Sequence, residues 1–236
     1  MLITMIGHST VLLEVAGLRI LTDPYFGGWG NPAYARLRPP ARTREDLQDV
    51  DLVLVSHNHW DHTDRAYFRS LAGDVPVLAP ARSGWLTKLQ GARMVVGLKT
   101  WQSHECGEVT VTAVPAIHLA VTCGFVVQAE GKQVYFAGDT FYRPFMQEIS
   151  RRFQLAAALM PVTTYRLPMT MGEKGAVRAV TDLKPRVVIP IHLGLQPRSP
   201  LLRTSHSLAG FECRLREARL ATEIILLHEG ESWTVS

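Results

Sequence analysis

Leu52–Asp64, LVLVSHNHWDHTD, is the stretch whose reading decides the fold. Its first four residues, Leu52 to Val55, are all apolar, which marks a strand buried on both faces in the middle of a layered α/β sheet. The apolar run stops at Ser56, and His57, His59, Asp61 and His62 follow within six positions. All four carry lone pairs that suit a metal ion, and a backbone looping out of a strand can turn them toward one point. The bland alternative is a solvated polar loop. Against it, three imidazoles and a carboxylate crowded at a buried strand end are heavily penalised by desolvation unless something pairs them.

Composition bounds the setting of this motif. The 236-residue chain, 47% hydrophobic and 19% charged, can bury a full two-layered core, and its length suits one large domain over residues 1–236 better than two small ones. Met1 leads into an apolar segment without a basic n-region or a small-residue cleavage site. The longest apolar run, Leu155–Val162, is far too short to span a bilayer, so a cytoplasmic protein with no transmembrane segment is expected. Cys106, Cys123 and Cys213 are odd in number and form no CxxC pair, which argues against a disulfide framework or a thiolate cluster. The net charge of +4 is spread over scattered arginines with no basic block. Nucleic acid is therefore not the expected partner, and there is room for an anionic substrate.

Local patterning predicts most of the elements. Met1–Val15 and Leu18–Leu21 read as a hairpin through Ala16-Gly17, with His8 and Ser9 interrupting its first strand. Helices are expected over 65–71, capped by Asp64, and over 83–89, 141–153 and 208–220; another runs to Leu183, opened by Thr170 and Glu173 at capping-box spacing. Glu108–Val114, Val121–Ala129 and Gln133–Ala137 alternate as hairpin strands, with a tight turn at Gly131-Lys132. His104, in a polar turn, and His228 read as residues without a metal role. Tyr25–Arg44 shows neither helical nor strand periodicity and is expected to be a loop of about twenty residues, long enough to imply a purpose. As a wall of a cleft it offers Trp29, Tyr34, Arg36 and Arg38 to a substrate. Packing against a neighbouring subunit is its other reading and leaves a homo-oligomer open.

The hexapeptide HNHWDH resembles the HxHxDH signature of the metallo-β-lactamase fold hydrolases. The rest of that family's ligand set appears downstream in order, as His118 in VPAIH, Asp139 in YFAGDT and His192 in VIPIH, each where an apolar strand gives way to a loop. IGHST at Ile6–Thr10, followed by ILTDP at Ile20–Pro24, is similar to the branch that includes ascorbate-phosphate lactonase and N-acyl-phosphatidylethanolamine phospholipase D. The resemblance implies an α/β fold: a four-layer αββα sandwich of two mixed sheets with helices outside and a metal cleft where strand ends meet. It implies two divalent ions, zinc foremost with manganese or iron as alternatives. His57, His59 and His118 would hold one, Asp61, His62 and His192 the other, and Asp139 would bridge them. His8 and Asp23 would stand behind the ligands, Asp23 fixing the tautomer of a ligand histidine.

The chemistry implied is hydrolysis, a metal-bridged hydroxide attacking a phosphodiester, with Asp61 as the catalytic group that orients it and takes its proton. A lactonase or esterase acting on a phosphorylated sugar-like substrate is the nearest alternative. Outside hydrolysis stand an iron-dependent oxidoreductase of the same fold and a non-hydrolytic metal-binding or regulatory protein. Tyr165 and Arg166, in PVTTYRLPM, are substrate candidates, although Thr163-Thr164 stands where the branch carries Gly-Ala. Arg198, Arg203 and His206 lie in a 193–207 loop that departs from the branch and are candidates for anion recognition, so the natural substrate does not transfer.

Overall fold

The computed structural model describes residues 1–27, 32–203 and 206–236. The strand Leu52–Leu54 lies between Leu18–Thr22 and Pro76–Pro80 and runs parallel to both. Its side chains alternate: Leu52 and Leu54 enter the core between two sheets, while Val53 and Val55 enter a second core on the outer face. A continuous apolar run is what this position demands, since the two-residue period of a strand sends successive residues to opposite faces and both are covered.

Two seven-stranded sheets face each other. The first runs, across the sheet, Ser232–Thr234, Leu2–Gly7, Thr10–Val15, Leu18–Thr22, Leu52–Leu54, Pro76–Pro80 and Met94–Leu98. The second runs Glu223–Ile224, Val187–Ile191, Ala157–Pro161, Lys132–Phe136, Cys123–Ala129, Val109–Pro115 and Ser103–Cys106. Both are mixed, antiparallel across one half and parallel across the other. Ile3, Val11, Leu13 and Ile20 of the first meet Phe125, Val127, Phe136, Leu159 and Ile189 of the second. Tyr67 and Phe68, from the helix Arg65–Ser70, cover the outer face of the first sheet. The helices Phe145–Arg152, Gly172–Leu183 and Leu208–Glu217 cover the second through Met146, Ile149, Ala176, Val180, Phe211 and Leu215. The four layers are therefore αββα, as expected. Each large side chain fully buried in these layers contributes roughly 1.5–3 kcal/mol, which is why the alternation is so strictly kept. No helix among the described residues is long and apolar enough to cross a membrane.

Several local expectations are corrected. Met1–Val15 is not one strand: His8 and Ser9 form a turn between Leu2–Gly7 and Thr10–Val15, and both are buried. The helix expected from Phe141 begins only at Phe145, because Pro144 disfavours helical backbone in the residue before it. The capping box at Thr170 does not form. Thr170 Oγ1 donates to Thr163 O, and the Glu173 carboxylate instead accepts Ser207 N at 2.8 Å and Arg214 Nε at 3.0 Å, tying two helices together. His104 lies in the edge strand Ser103–Cys106 rather than in a turn. The hairpin turn falls at Glu130-Gly131, both at positive φ, one residue earlier than expected. Finally, the 25–44 segment is not structureless: Tyr34–Arg36 pairs antiparallel with Leu195–Pro197, so the two loops that local patterning left undefined brace each other.

Candidate metal centre

Polar side chains leave the sheets at the C-terminal ends of six strands. His8 follows Leu2–Gly7, Asp23 follows Leu18–Thr22, and His57 follows Leu52–Leu54; in the second sheet His118 follows Val109–Pro115, Asp139 follows Lys132–Phe136, and His192 follows Val187–Ile191. The chain turns with φ of 60° at His8, 32° at Asp23 and 65° at His192. Non-glycine residues avoid this region unless their surroundings over-determine it. Here they do: His192 N donates to His8 O at 3.0 Å, and Asp23 N to Leu54 O at 2.8 Å. The Asp139 loop approaches closely because Gly138, at φ 55°, has no Cβ; one placed there would fall on the Ser56 side chain.

Two triads result. The imidazoles of His57, His59 and His118 sit with ring centroids 4.6, 4.8 and 4.9 Å apart, and His59 Nδ1 is 3.1 Å from His118 Nε2. Asp61, His62 and His192 form the second group, joined by His8, with one ligand atom from each within 4.8 Å of the others. Asp139 stands between the groups. Its Oδ2 is 3.7 Å from His118 Nε2 and 3.3 Å from His192 Nε2, and its Oδ1 is 3.5 Å from His62 Nε2.

These donors fit a metal. Ligand atoms bound tetrahedrally at about 2.0–2.1 Å lie about 3.3 Å from one another, near the separations found here. His57 Nε2, His62 Nε2, His192 Nε2, His118 Nδ1 and Asp139 Oδ1 are buried with no hydrogen-bond partner. Folded proteins rarely tolerate so many unsatisfied polar atoms in one place, and cations at the centre of each group would satisfy the three Nε2 atoms and the carboxylate oxygen.

One carboxylate sets the tautomers behind both groups. Asp23 accepts Ser56 N at 2.6 Å on Oδ1 and Ser56 Oγ at 2.6 Å on Oδ2, which also lies 2.7 Å from His62 Nδ1. Ser56 Oγ, with its proton committed to Asp23, accepts from His57 Nδ1 at 2.9 Å. Both Nδ1 atoms are thereby donors, leaving both Nε2 lone pairs facing the centre. Asp23→Asn keeps an acceptor for Ser56 N but places an amide against His62 Nδ1–H. It is expected to lower metal affinity by about 10- to 100-fold in a chelator competition, and unchanged affinity would show that the chain of bonds is dispensable.

The protonation states differ between the groups. Burial lowers His57 well below the usual imidazole value, reinforced by His62, and burial also lowers His59 and His118. His192 goes the other way: burial opposes it, but Asp139 and Asp61 hold it up to about 9, and Asp139, Asp61 and Asp23 likewise raise His62 well above the usual value. The Asp61 and Asp139 carboxyls lie well below the ordinary carboxylate range, because the neighbouring imidazoles outweigh burial. Burial raises Asp23 despite His62 and Ser56.

The donors open onto a cleft of about 190 Å³ lined by Tyr34, His59, Trp60, Asp61, Asp139, Tyr165, Met169 and His192. Tyr165 thus reaches the cleft; its hydroxyl is buried without a partner, and burial together with Asp61 pushes the phenol up. Arg203 and His206 line a neighbouring cavity of about 270 Å³ that meets the cleft at Tyr165 and His192. Arg166 and Arg198 line neither. Arg166 donates from Nη1 to Leu201 O, and Arg198, exposed, donates its backbone N to Ala33 O. Arg36 is buried on the carbonyls of Tyr25 and Gly27, and Arg38 faces His228 and Glu229. Trp29 lies outside the described residues. Trp60, Met169 and Ser56 went unremarked as site residues, although each sits in or beside a motif already singled out.

The sequence of residues 18–193 matches the family described as the beta-lactamase superfamily domain. Over 98% of this chain and 99% of its own length, a UPF0173 metal-dependent hydrolase of Pelotomaculum thermopropionicum is 32% identical to it. Another, from Methanopyrus kandleri, is 29% identical over 99% of both chains. Among solved structures, Igni18, a metallo hydrolase from the hyperthermophilic archaeon Ignicoccus hospitalis, superposes with a TM-score of 0.78 at 25% identity, covering 100% of this chain and 99% of the other.

Proposed function

This chain belongs to the β-lactamase superfamily as a metal-dependent hydrolase, and we propose that it uses two divalent ions, zinc foremost, to hydrolyse a phosphodiester in a small or lipid-like substrate. The observation that carries the two-ion reading is the position of Asp139, within 3.7 Å of His118 on one side and 3.3 Å of His192 on the other. When bound, such ions make water nucleophilic near neutral pH and offset charge on the reacting oxygens. The protein's own residues do the rest. His57, His59 and His118 would hold one ion and Asp61, His62 and His192 the other, with Asp139 between the two groups. Asp61, which lines the cleft, would accept a proton from the attacking water. Tyr34, Trp60 and Met169 line the cleft. The Tyr165 hydroxyl, without a partner of its own, is available to a substrate oxygen.

Charge favours the phosphodiester. Two divalent ions against the carboxylates of Asp61 and Asp139 leave an excess of positive charge, which suits a substrate bearing one negative charge. A second reading, a lactone or ester whose reacting bond carries no charge, is favoured by a different observation: among the described residues no arginine or lysine lines the cleft, and three that do are Tyr34, Trp60 and Tyr165. Bis(p-nitrophenyl) phosphate, p-nitrophenyl acetate and a phosphorylated lactone, compared on metal-reconstituted protein, separate the two. Faster turnover of the phosphate diester is expected; turnover of the ester or lactone alone would transfer the assignment. Tyr165→Phe is expected to reduce kcat by about 100-fold with metal content unchanged, the usual effect of losing one preorganised hydrogen-bond donor. A wild-type kcat in that variant would remove Tyr165 from the reaction.

A further inference from the structure

We propose that His8 is a fourth protein ligand of the ion held by Asp61, His62 and His192, so that the two metal positions differ in coordination number. The inference rests on the two-ion reading above and extends it to a residue outside the HxHxDH pattern.

Three features of His8 point the same way. It is only 2% exposed, yet neither ring nitrogen has a hydrogen-bond partner. A histidine kept merely to fill space would be an odd choice there, since an apolar side chain leaves no polar atom unsatisfied. Its Nε2 is 3.5 Å from Asp61 Oδ2. That is too long for a good hydrogen bond, but it matches the spacing of the other donors in the group, 3.6 Å for His192 Nε2 to Asp61 Oδ2 and 3.5 Å for His62 Nε2 to Asp139 Oδ1. The ring is also held in place before any ion arrives. It lies 4.2 Å from the His192 ring and 5.6 Å from that of His62, and its backbone adopts φ 60° with its carbonyl accepting His192 N. Gly194 packs so closely that a Cβ there would be 3.0 Å from His8 N, Cα and Cβ. A left-handed turn locked from both sides, presenting an imidazole with no protein partner, is strain of the kind retained where geometry matters to function.

The consequence is chemical inequivalence. His57, His59 and His118 with Asp139 give one ion four protein donors, whereas His8, Asp61, His62 and His192 with Asp139 give the other five. Four nitrogen and oxygen donors suit zinc, while a site richer in donors and carboxylate suits ions that prefer higher coordination, such as manganese or iron.

The competing role for His8 is to orient Asp61 by donating an N–H. His8→Gln tells the roles apart, because its amide can donate to Asp61 but is a poor ligand; His8→Ala removes both functions. Each variant and the wild type is titrated with Co(II) against a competing chelator, and the visible ligand-field spectrum is recorded as each equivalent binds. The wild type is expected to take two equivalents, with one spectrum intense, as for four-coordination, and the other weak. In both variants one equivalent should retain its affinity and spectrum. The other should weaken by more than the roughly 10- to 100-fold typical of losing an outer hydrogen-bonding partner, and its spectrum should change. Wild-type affinity and spectra in His8→Gln would overturn the ligand role while leaving two ions in place. A wild type that binds one equivalent only would overturn the two-ion reading and this proposal with it. Circular dichroism of the metal-free variants checks folding, and the wild-type spectra stand as a test even if a variant does not fold.

Discussion

Asp61→Asn is expected to lower kcat/KM by at least about 1000-fold, toward the upper end of the effect of removing a positioned general base, and to lower metal content at the second position as well. In the proposed function the carboxylate has two tasks that an amide cannot share. Its Oδ2 sits 3.6 Å from His192 Nε2 and 3.5 Å from His8 Nε2, where a negative oxygen would contribute both a ligand and charge balance, and the same residue lines the cleft. Its carboxyl lies well below the ordinary carboxylate range, since the surrounding imidazoles prevail over burial, so it is ionised at neutral pH. Steady-state kinetics paired with elemental analysis separate the tasks. Lost turnover with full metal content points to the proton-accepting role, lost turnover with lost metal to the ligand role, and turnover within about tenfold of wild type would eliminate both.

Stripping the ions with a chelator is expected to abolish hydrolysis, and restoring them should become easier as pH rises. In the metal-free protein His192 is held up to about 9 and His62 well above the usual imidazole value, both by Asp139 and Asp61 against the opposing effect of burial. An ion must therefore displace protons from the second group at neutral pH. Apparent affinity should rise about tenfold per pH unit for each proton displaced, until pH passes about 9. The group of His57, His59 and His118, already neutral because burial lowers all three, carries no such dependence. Chelator competition at pH 7, 8 and 9 reads this directly, and a flat profile for both ions would contradict it.

The same shifts set the stability of the stripped protein. A histidine whose pKa is raised on folding contributes stability that is complete below its unfolded value of 6.5 and lost as pH climbs through about 9. Asp61 and Asp139, depressed on folding, contribute stability that is complete above 3.8 and lost as pH falls through their folded values. These four groups thus favour the metal-free fold most between about 4 and 6.5, whereas His57, His59 and His118, lowered on folding, cost stability as pH falls through 6.5; between pH 7 and pH 9, where the latter change little, the melting temperature should fall. The loaded protein, with ions in place of protons, should lack the alkaline decline.

Much of this was legible in the linear chain, because the relevant physics is local. An unbroken apolar run at Leu52–Val55 reads as a strand covered on both faces, and the two cores that receive its alternate residues bear this out. The αββα layering and the downstream donors His118, Asp139 and His192 come from the resemblance carried by HNHWDH, and each of those donors does follow a strand, as its apolar run suggests. Asp64 was recognisable as a cap and does accept Ala66 N and Tyr67 N. Local rules failed where a distant partner competes. The Thr170 and Glu173 spacing suits a capping box, but Arg214 and Ser207 offer Glu173 a charged and a backbone donor at once. Arg36 and Arg38 are candidates as part of a loop that reads as a cleft wall; in the folded chain the carbonyls of Tyr25, Gly27 and Arg38 engage Arg36, and the side chains of His228 and Glu229 engage Arg38.

What residue order alone determined, then, was which segments are strands, which of them are buried on both faces, and the kind of donor that emerges at their ends, since side-chain alternation and donor type are properties of a few neighbouring residues. Which donors meet, that one carboxylate at position 23 governs the tautomers of both His57 and His62, and that the loops at 34–36 and 195–197 brace each other were decided only by folding. Those arrangements depend on distances between segments far apart along the polypeptide, and such distances exist only once the two sheets have closed on their shared core.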